Sequence, residues 1–235
     1  MIRYSAAILC GRKFAKSEPI SKLKIVVAGG HPGDPEYGCG GTIAEFTDRG
    51  NDVSILYLNR GEKGCGQRAA GECGATRVSE ARRACQILKA QPRFGDQIDG
   101  EAIVDAQHYD RFHRLLESER PNLVFTQWPI DNHRDHRAVT MLVYDAWLRM
   151  HKSFDLYYYE VSNGEDTVMF SPTNYVDISH TETRKRAACY AHASQSPDRY
   201  YGLQSQVARF RGIESGYSMA EAFVRQVGSK GNLLP

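Results

Sequence analysis

Short apolar runs alternate with amphipathic stretches along most of the chain. The runs are rich in Val, Ile, Leu and Tyr, as expected of buried strands, and the stretches between them repeat apolar residues at helical spacing. Strands are predicted over residues 23–28, 52–58, 95–98, 122–126, 154–161 and 175–178. Helices are predicted over residues 42–49, 76–90, 109–119, 137–148, 184–192 and 204–210. The alternation predicts βαβ units, and therefore a mostly parallel sheet with helices on both faces.

The chain shows neither internal repeats nor a linker-like stretch, so one domain is predicted over residues 23–235. Its expected architecture is α/β, a Rossmann-like three-layer sandwich. Residues 1–22 do not fit the alternation and are interpreted as an N-terminal tail or an extra element. Their apolar patch is shorter than the core of a secretory signal, which spans about 7–15 residues. We expect a cytoplasmic protein, or an exported one if these residues belong to a truncated signal.

Composition and charge narrow the classes of partner. The chain has 235 residues, with 30 Lys and Arg against 28 Asp and Glu and a net charge of +2. Such a small charge argues against nucleic acid or an anionic membrane surface as the partner. No apolar run approaches the ~20 residues that a membrane span needs. A small-molecule ligand is expected instead, and a homo-oligomer is a further expectation.

The cysteines do not indicate a metal site of their own. There are six, at positions 10, 39, 65, 73, 85 and 189, and none of their spacings matches C-x₂-C. Cys65 and Cys73 share a glycine-rich segment and can pair in an oxidising compartment. Free thiols are the preferred interpretation.

Candidate chemistry follows two of the predicted strands. His31 and Asp34 come directly after the strand at 23–28, and His133 and His136 follow the strand at 122–126. Sites form at the carboxyl ends of parallel strands, so these side chains are expected to meet in one crevice. Imidazole and carboxylate are ligands that a zinc-type cation accepts. A dinucleotide site is disfavoured, because the glycine-rich segment lacks the G-x-G-x-x-G pattern.

Two motifs carry a resemblance to a known family. The segment VAGGHPGDPE at 27–36 resembles the H-P-D-D-E signature of the PIG-L/LmbE-like N-acetylglucosaminyl deacetylases, and DNHRDH at 131–136 matches their H-x-D-H signature. Weaker landmarks lie at 61–64, 77–81 and 192–195. The resemblance covers residues 23–210, with its motifs in the family's order. It implies a metal-dependent deacetylase that acts on an N-acetylated sugar or glycoconjugate.

Three residues would bind the metal by this resemblance. His31, Asp34 and His136 would hold zinc, or another divalent metal such as iron. Three protein ligands leave one coordination position open, which is the pattern of a catalytic site. The resemblance therefore implies hydrolysis that releases acetate and a free amine.

The resemblance also implies roles for residues around the metal. His133 would stabilise the oxyanion or protonate the leaving amine, and Asp135 would hold the ring of His133 and favour its charged form. Arg77 would contact the substrate. His192 and Gln195 are interpreted as a structural hydrogen-bonding pair.

One position departs from the family pattern. The family's general base is the first Asp of H-P-D-D, and this chain has Gly33 there. The base can have moved to another carboxylate, with Glu36 or Asp131 the nearest in sequence, or the metal can do most of the work. The alternatives are a catalytically impaired, metal-containing carbohydrate-binding protein and an amidase of the same family that acts on a thiol conjugate.

Overall fold

A computed structural model describes residues 22–162 and 165–235, so the predicted tail lies outside the described residues except for its last position. Seven strands form one sheet: β1 (Lys24–Gly29), β2 (Asp52–Tyr57), β3 (Gln91–Phe94), β4 (Leu123–Gln127), β5 (Asp155–Tyr159), β6 (Asn174–Asp177) and β7 (Ala220–Arg225). Six α-helices accompany it: α1 (Asp34–Asp48), α2 (Ala70–Leu88), α3 (Ala106–Glu119), α4 (Arg134–Arg149), α5 (Glu182–Tyr190) and α6 (Pro197–Ser215).

The strand order is β3-β2-β1-β4-β5-β7-β6. Strands β1 to β5 pair in parallel, whereas β7 runs antiparallel to both β5 and β6. The mostly parallel sheet predicted from the sequence is therefore confirmed. An antiparallel edge of this kind is common on doubly wound sheets.

Alternate residues of the central strands feed two separate cores. In β1, Ile25 and Val27 belong to one apolar cluster, and Val26 and Ala28 belong to the other. The first cluster includes buried residues of α1, α2 and α5, and the second includes those of α3 and α4. Burial of one large aliphatic side chain stabilises the fold by roughly 1.5–3 kcal/mol. The two clusters make the three layers that the alternation predicted.

The order of the strands reverses between β1 and β4. These strands are neighbours in the sheet, but α1, which follows β1, packs on one face, and α4, which follows β4, packs on the other. The two connections diverge and leave a crevice at the carboxyl ends of both strands. This is the usual place for a site in an open α/β sheet.

Helix α1 begins eight residues earlier than the sequence predicted. Its glycines suggested a loop, but they lie within the helix because close packing leaves no space for a side chain there. A Cβ on Gly38 would lie 2.3 Å from the Tyr159 ring, and one on Gly41 would lie 2.5 Å from Ile178. These glycines allow the helix to approach β5 and the segment after β6 closely. The early start places Asp34 on the first turn of the helix rather than in a loop.

The edges of the sheet were predicted less well. The strand expected at 95–98 is wrong, since β3 occupies Gln91–Phe94 and carries Pro92 on the outermost strand. Proline is tolerated there because an edge strand has backbone groups that need no ladder partner. Strand β7 was not predicted, although it separates β5 from β6.

A buried ion pair ties β7 to the helical layer. Glu221 accepts hydrogen bonds from the backbone N–H groups of Gly41 (2.9 Å) and Thr42 (2.7 Å) and from Lys185 Nζ. The side chains of Lys185 and Glu221 are 1% and 2% exposed. A charge buried to this degree depends on its partner.

Cys65 and Cys73 form a disulfide, so the preference for free thiols at these positions is wrong. The bond connects the loop after β2 to the first turns of α2. Of the other cysteines within the described residues, Cys39, Cys85 and Cys189 are free and buried. No helix in the described part of the chain has the length and apolarity that a membrane crossing requires.

Candidate active site

The crevice between β1 and β4 opens into a cavity of about 440 Å³. Five predicted site residues line it: His31, Asp34, Arg77, His133 and His136. The other three, Glu36, Asp131 and Asp135, are buried behind its wall. The predicted residues therefore meet at one place, in two layers.

Asp34 stands between the two predicted histidine ligands. Its Oδ2 lies 3.1 Å from His31 Nδ1 and 3.2 Å from His136 Nε2. The backbone N–H of His31 also donates to this oxygen, at 2.8 Å. Gln127 Nε2 contacts it at 3.3 Å, from the end of β4. Asp34 Oδ2 thus lies within 3.2 Å of one nitrogen of each predicted histidine ligand.

The second nitrogen of each ring is held by a carboxylate. His31 Nε2 lies 3.1 Å from Asp135 Oδ2 and 3.1 Å from Asp99 Oδ1, and His136 Nδ1 lies 3.1 Å from Asp131 Oδ1. Carboxylates in this position fix the tautomer and the orientation of a metal-binding imidazole. The arrangement leaves His31 Nδ1 and His136 Nε2 as the ligand atoms.

The carboxylate of Asp135 does not contact the ring of His133 as the resemblance implied; it lies against His31. Its carboxylate accepts from Asn59 Nδ2 (3.0 Å) and from the backbone N–H groups of Gly100 (2.7 Å) and Ala102 (3.3 Å), besides its contact with His31. Asp135 is fully buried, and these hydrogen bonds satisfy its carboxylate there. Its place behind His31 makes it a support for that ring.

His133 is positioned by the backbone instead. The N–H of Asp135 donates to His133 Nδ1 at 3.2 Å, at the N-terminus of α4. Burial, together with the neighbouring His31 and His136, lowers the pKa of His133, which disfavours the charged form that the resemblance implied. With Nδ1 accepting, the neutral ring carries its proton on Nε2 and can donate a hydrogen bond from there.

The electrostatics of the cluster favour a cation at its centre. Burial alone would lower the pKa of His31 and His136, but the carboxylates around them together outweigh it: Asp34, Asp135 and Asp99 hold the pKa of His31 well above its usual value, and Asp34 and Asp131 hold that of His136 at about 9. Burial would raise the pKa of Asp34, yet His136 and His31 hold it well below its usual range. Asp34 is therefore ionised throughout the neutral range.

The donor set fits a zinc-type cation. His31 Nδ1, Asp34 Oδ2 and His136 Nε2 supply two nitrogens and one oxygen, which zinc and iron both accept. One ligand atom of each of His31, His133 and His136 also lies within 4.8 Å of the others, so a third imidazole is close to the same point. A second such group, of His31, Asp99 and Asp135, has two carboxylates on one side of that ring.

Neither of the two carboxylates predicted to replace the general base faces the cavity. Glu36 Oε1 accepts from Tyr57 Oη at 2.5 Å, and its Oε2 accepts from the backbone N–H of Gly33 at 3.1 Å. Asp131 accepts from Thr167 Oγ1 at 3.1 Å and supports His136. Both side chains are fully committed behind the wall, which rules out direct contact with a substrate held in the cavity.

Arg77 connects two loops at the cavity wall. Its Nη1 donates to the Gly61 carbonyl (3.2 Å) and its Nη2 to the Pro32 carbonyl (2.7 Å). Burial lowers the pKa of its guanidinium, which is 6% exposed. Its Nε has no partner within the described residues and lies at the cavity wall with the rest of the head group. Substrate contact by Arg77 stays a prediction.

Among the titratable residues that line the cavity, sequence reasoning did not single out Asp99 or Asp166, and it gave His192 only a structural role. Asp99 directly follows the strand predicted over 95–98, which was the available signal for it, whereas Asp166 lies in an irregular segment and nothing in its spacing marks it. His192 was interpreted as a partner of Gln195, but the two share only a backbone hydrogen bond, from the N–H of Gln195 to the carbonyl of His192. Its place at the end of the helix predicted over 184–192 was the available signal, because the helix observed there, α5, packs on α1.

Comparison with known proteins is consistent with this geometry. Residues 26–147 match the PIG-L family model, described as GlcNAc-PI de-N-acetylase. The chain is 30% identical to a diacetylchitobiose deacetylase of Thermococcus kodakarensis, over 92% of this chain and 88% of that protein.

Solved structures share the fold. A conserved protein of Thermus thermophilus superposes with a TM-score of 0.77 at 27% identity, covering 89% of this chain and 97% of its own. The N,N'-diacetylchitobiose deacetylase of Pyrococcus horikoshii, solved with an inhibitor, superposes with a TM-score of 0.77 at 22% identity, covering 94% of this chain and 91% of its own.

Proposed function

The chain belongs to the PIG-L family of de-N-acetylases, and from this premise we propose that it hydrolyses the N-acetyl amide of an amino sugar or glycoconjugate with the help of a divalent metal, zinc or iron. The products are acetate and a free amine. The observation that carries the proposal is the position of Asp34 Oδ2, within 3.2 Å of both His31 Nδ1 and His136 Nε2, at a substrate-sized cavity.

In this proposal His31, Asp34 and His136 hold the metal. A divalent cation bound there acts as a Lewis acid that polarises the acetyl carbonyl. Asp135 and Asp99 orient His31, and Asp131 orients His136, so each ligand ring presents one nitrogen only. The site is therefore rigid before substrate arrives.

His133 stabilises the charge that develops on the carbonyl oxygen. The backbone N–H at Asp135 occupies Nδ1, so the Nε2–H is available to donate to the oxyanion of the tetrahedral intermediate. The lowered pKa means that His133 does this as a neutral imidazole. Loss of one such donor costs ~10²–10³-fold in kcat in comparable hydrolases.

The cavity suits a sugar of small size. Its volume of about 440 Å³ lies within the usual ~300–1,000 Å³ range of small-molecule sites, and Tyr37 and Tyr200 present rings to it. Arg77 and Lys63 line the same wall and can donate to hydroxyl or acetyl oxygens. A small N-acetylated sugar is therefore the proposed partner.

The test is acetate release from a panel of N-acetylated mono- and disaccharides by purified protein. We expect release that a chelator abolishes and that added zinc or iron restores. His133→Ala should lower kcat while the protein keeps its metal, whereas Asp34→Ala should lose both. Release unaffected by chelation, or no release from any member of the panel with metal present, would contradict the proposal.

A further inference from the structure

Residue 33 is where the family places a carboxylate, and the structure shows what surrounds the position here. A Cβ built on Gly33 would lie 3.9 Å from Cγ and 4.0 Å from Cδ2 of His192, and 3.9 Å from the Tyr37 ring. These are ordinary contact distances, so the His192 ring borders the space into which a side chain at 33 would project. His192 also lines the cavity.

A carboxylate holds the His192 ring from behind. Glu36 Oε1 lies 3.1 Å from His192 Nε2, although the N–H direction is not aligned as in a full hydrogen bond. The same carboxylate is fixed by Tyr57 Oη and by the backbone N–H of Gly33. A carboxylate beside Nε2 favours the tautomer with its proton there, which leaves the Nδ1 lone pair free. Within the described residues Nδ1 has no partner, even though His192 is 0% exposed.

We propose that His192, oriented by Glu36, is the general base that takes over from the carboxylate missing at Gly33. This inference rests on the proposed amide hydrolysis. A buried imidazole with one nitrogen close to a carboxylate and the other unpartnered resembles the arrangement of a histidine base.

The proton is accounted for through both halves of the reaction. His192 Nδ1 accepts a proton from the attacking water as the water oxygen bonds to the acetyl carbon, and the carbonyl π electrons move to oxygen. The imidazolium then returns this proton to the amide nitrogen as the C–N bond breaks and the carbonyl reforms. The products are the amine and acetic acid, which ionises in water, and His192 ends neutral.

Other carboxylates at the cavity are less suited to the role. Asp99 uses Oδ1 on His31 and Oδ2 to accept from the Lys63 N–H, and the hydrogen bond with His31 helps to hold its pKa low despite burial. Asp166 is the stronger alternative, because burial raises the pKa of its carboxyl group. Its backbone carbonyl also accepts a hydrogen bond from the N–H of Asn132, next to His133, which places it beside the cluster. Of His192, Asp99 and Asp166, it is His192 whose atoms are among the nearest to a Cβ built on Gly33.

The test measures kcat, KM and metal content of His192→Asn, with His113→Asn as the matched control. An Asn oxygen can still accept a hydrogen bond near Nδ1 but takes no proton, so we expect kcat to fall by ~10²–10⁴-fold with KM and metal content unchanged. His113 is half-buried on α3 and outside the cavity, so its variant should behave as wild type. Glu36→Gln should lose ~10–100-fold.

Chemical rescue separates a base from a structural side chain. His192→Ala opens a ring-sized space at the cavity, and added imidazole should raise its kcat at least tenfold, whereas imidazole should do nothing for His113→Ala. Wild-type-like kcat in His192→Asn together with a large loss in Asp166→Asn would overturn the proposal. The proposal would also be overturned if His192→Asn lost its metal or showed a raised KM and imidazole failed to rescue His192→Ala. Absence of acetate release by the wild type would instead refute the proposed function.

Discussion

Replacement of Gly33 by Asp would restore the family's residue, and the structure predicts what it costs. Gly33 has φ 111° and ψ −42°, a backbone conformation that L-residues rarely adopt. A Cβ there meets no heavy atom closer than 3.9 Å, so the penalty at this atom is backbone strain and not a clash. Such strain costs about 1–3 kcal/mol. At ~2–4 °C per kcal/mol for a chain of this size, Tm should fall by about 2–12 °C.

The assay compares Gly33→Asp with Gly33→Ala and Gly50→Ala by thermal unfolding and acetate release. Gly33→Ala carries the same strain without a carboxylate, so both variants at 33 should lose similar Tm. Gly50 has φ 81° and open space around it, far from the cavity, so its variant should lose stability alone. A Gly33→Ala protein as stable as the wild type would refute the strain argument. Acetate release by Gly33→Asp more than tenfold above wild type would refute the role of His192.

Four further outcomes follow from the contacts. Asp131→Ala should weaken metal affinity by ~10–100-fold, measured by competition with a chelating dye, because His136 Nδ1 loses its support; unchanged affinity would argue against that support. In the protein freed of metal by a chelator, the pKa of His136 is raised from 6.5 to about 9, so protonated His136 stabilises the fold fully below pH ~6.5. The Tm of this metal-free protein should therefore fall as pH rises from 6.5 to 9, and a flat profile would contradict this. Lys185→Met should cost about 3–5 kcal/mol in urea unfolding by leaving Glu221 buried and unpaired, and a loss under ~1 kcal/mol would show that water reaches it. Reduction of the disulfide should cost about 2–3 kcal/mol, and a Tm insensitive to reductant would count against the bond.

The interior of the fold could be predicted from the sequence because its strands are apolar on both faces. Val26 and Val27 point to opposite cores, so β1 is recognisable as an uninterrupted apolar run. The start of α1 could not be predicted, since glycines that normally break helices are required there by contact with Tyr159 and Ile178. Local preference and tertiary packing disagree at this helix.

The candidate site shows the same division. His31, Asp34, His133 and His136 could be expected together because they follow two apolar strands that the topology makes neighbours, whereas the choice of His31, Asp34 and His136 as metal ligands came from the family resemblance. The supporting residues could not be assigned, because which ring a carboxylate supports depends on loop conformation. Asp135 holds His31 rather than the sequence-adjacent His133, and Asp99 comes from a segment with no regular structure.

The most direct test of the account is anomalous diffraction at the zinc absorption edge from crystals of the zinc-loaded protein. The account predicts one strong peak per chain, bonded to His31 Nδ1, Asp34 Oδ2 and His136 Nε2 at ~2.0–2.2 Å. A peak bound instead between His31, Asp99 and Asp135, or no peak in the cavity at saturating zinc, would contradict it.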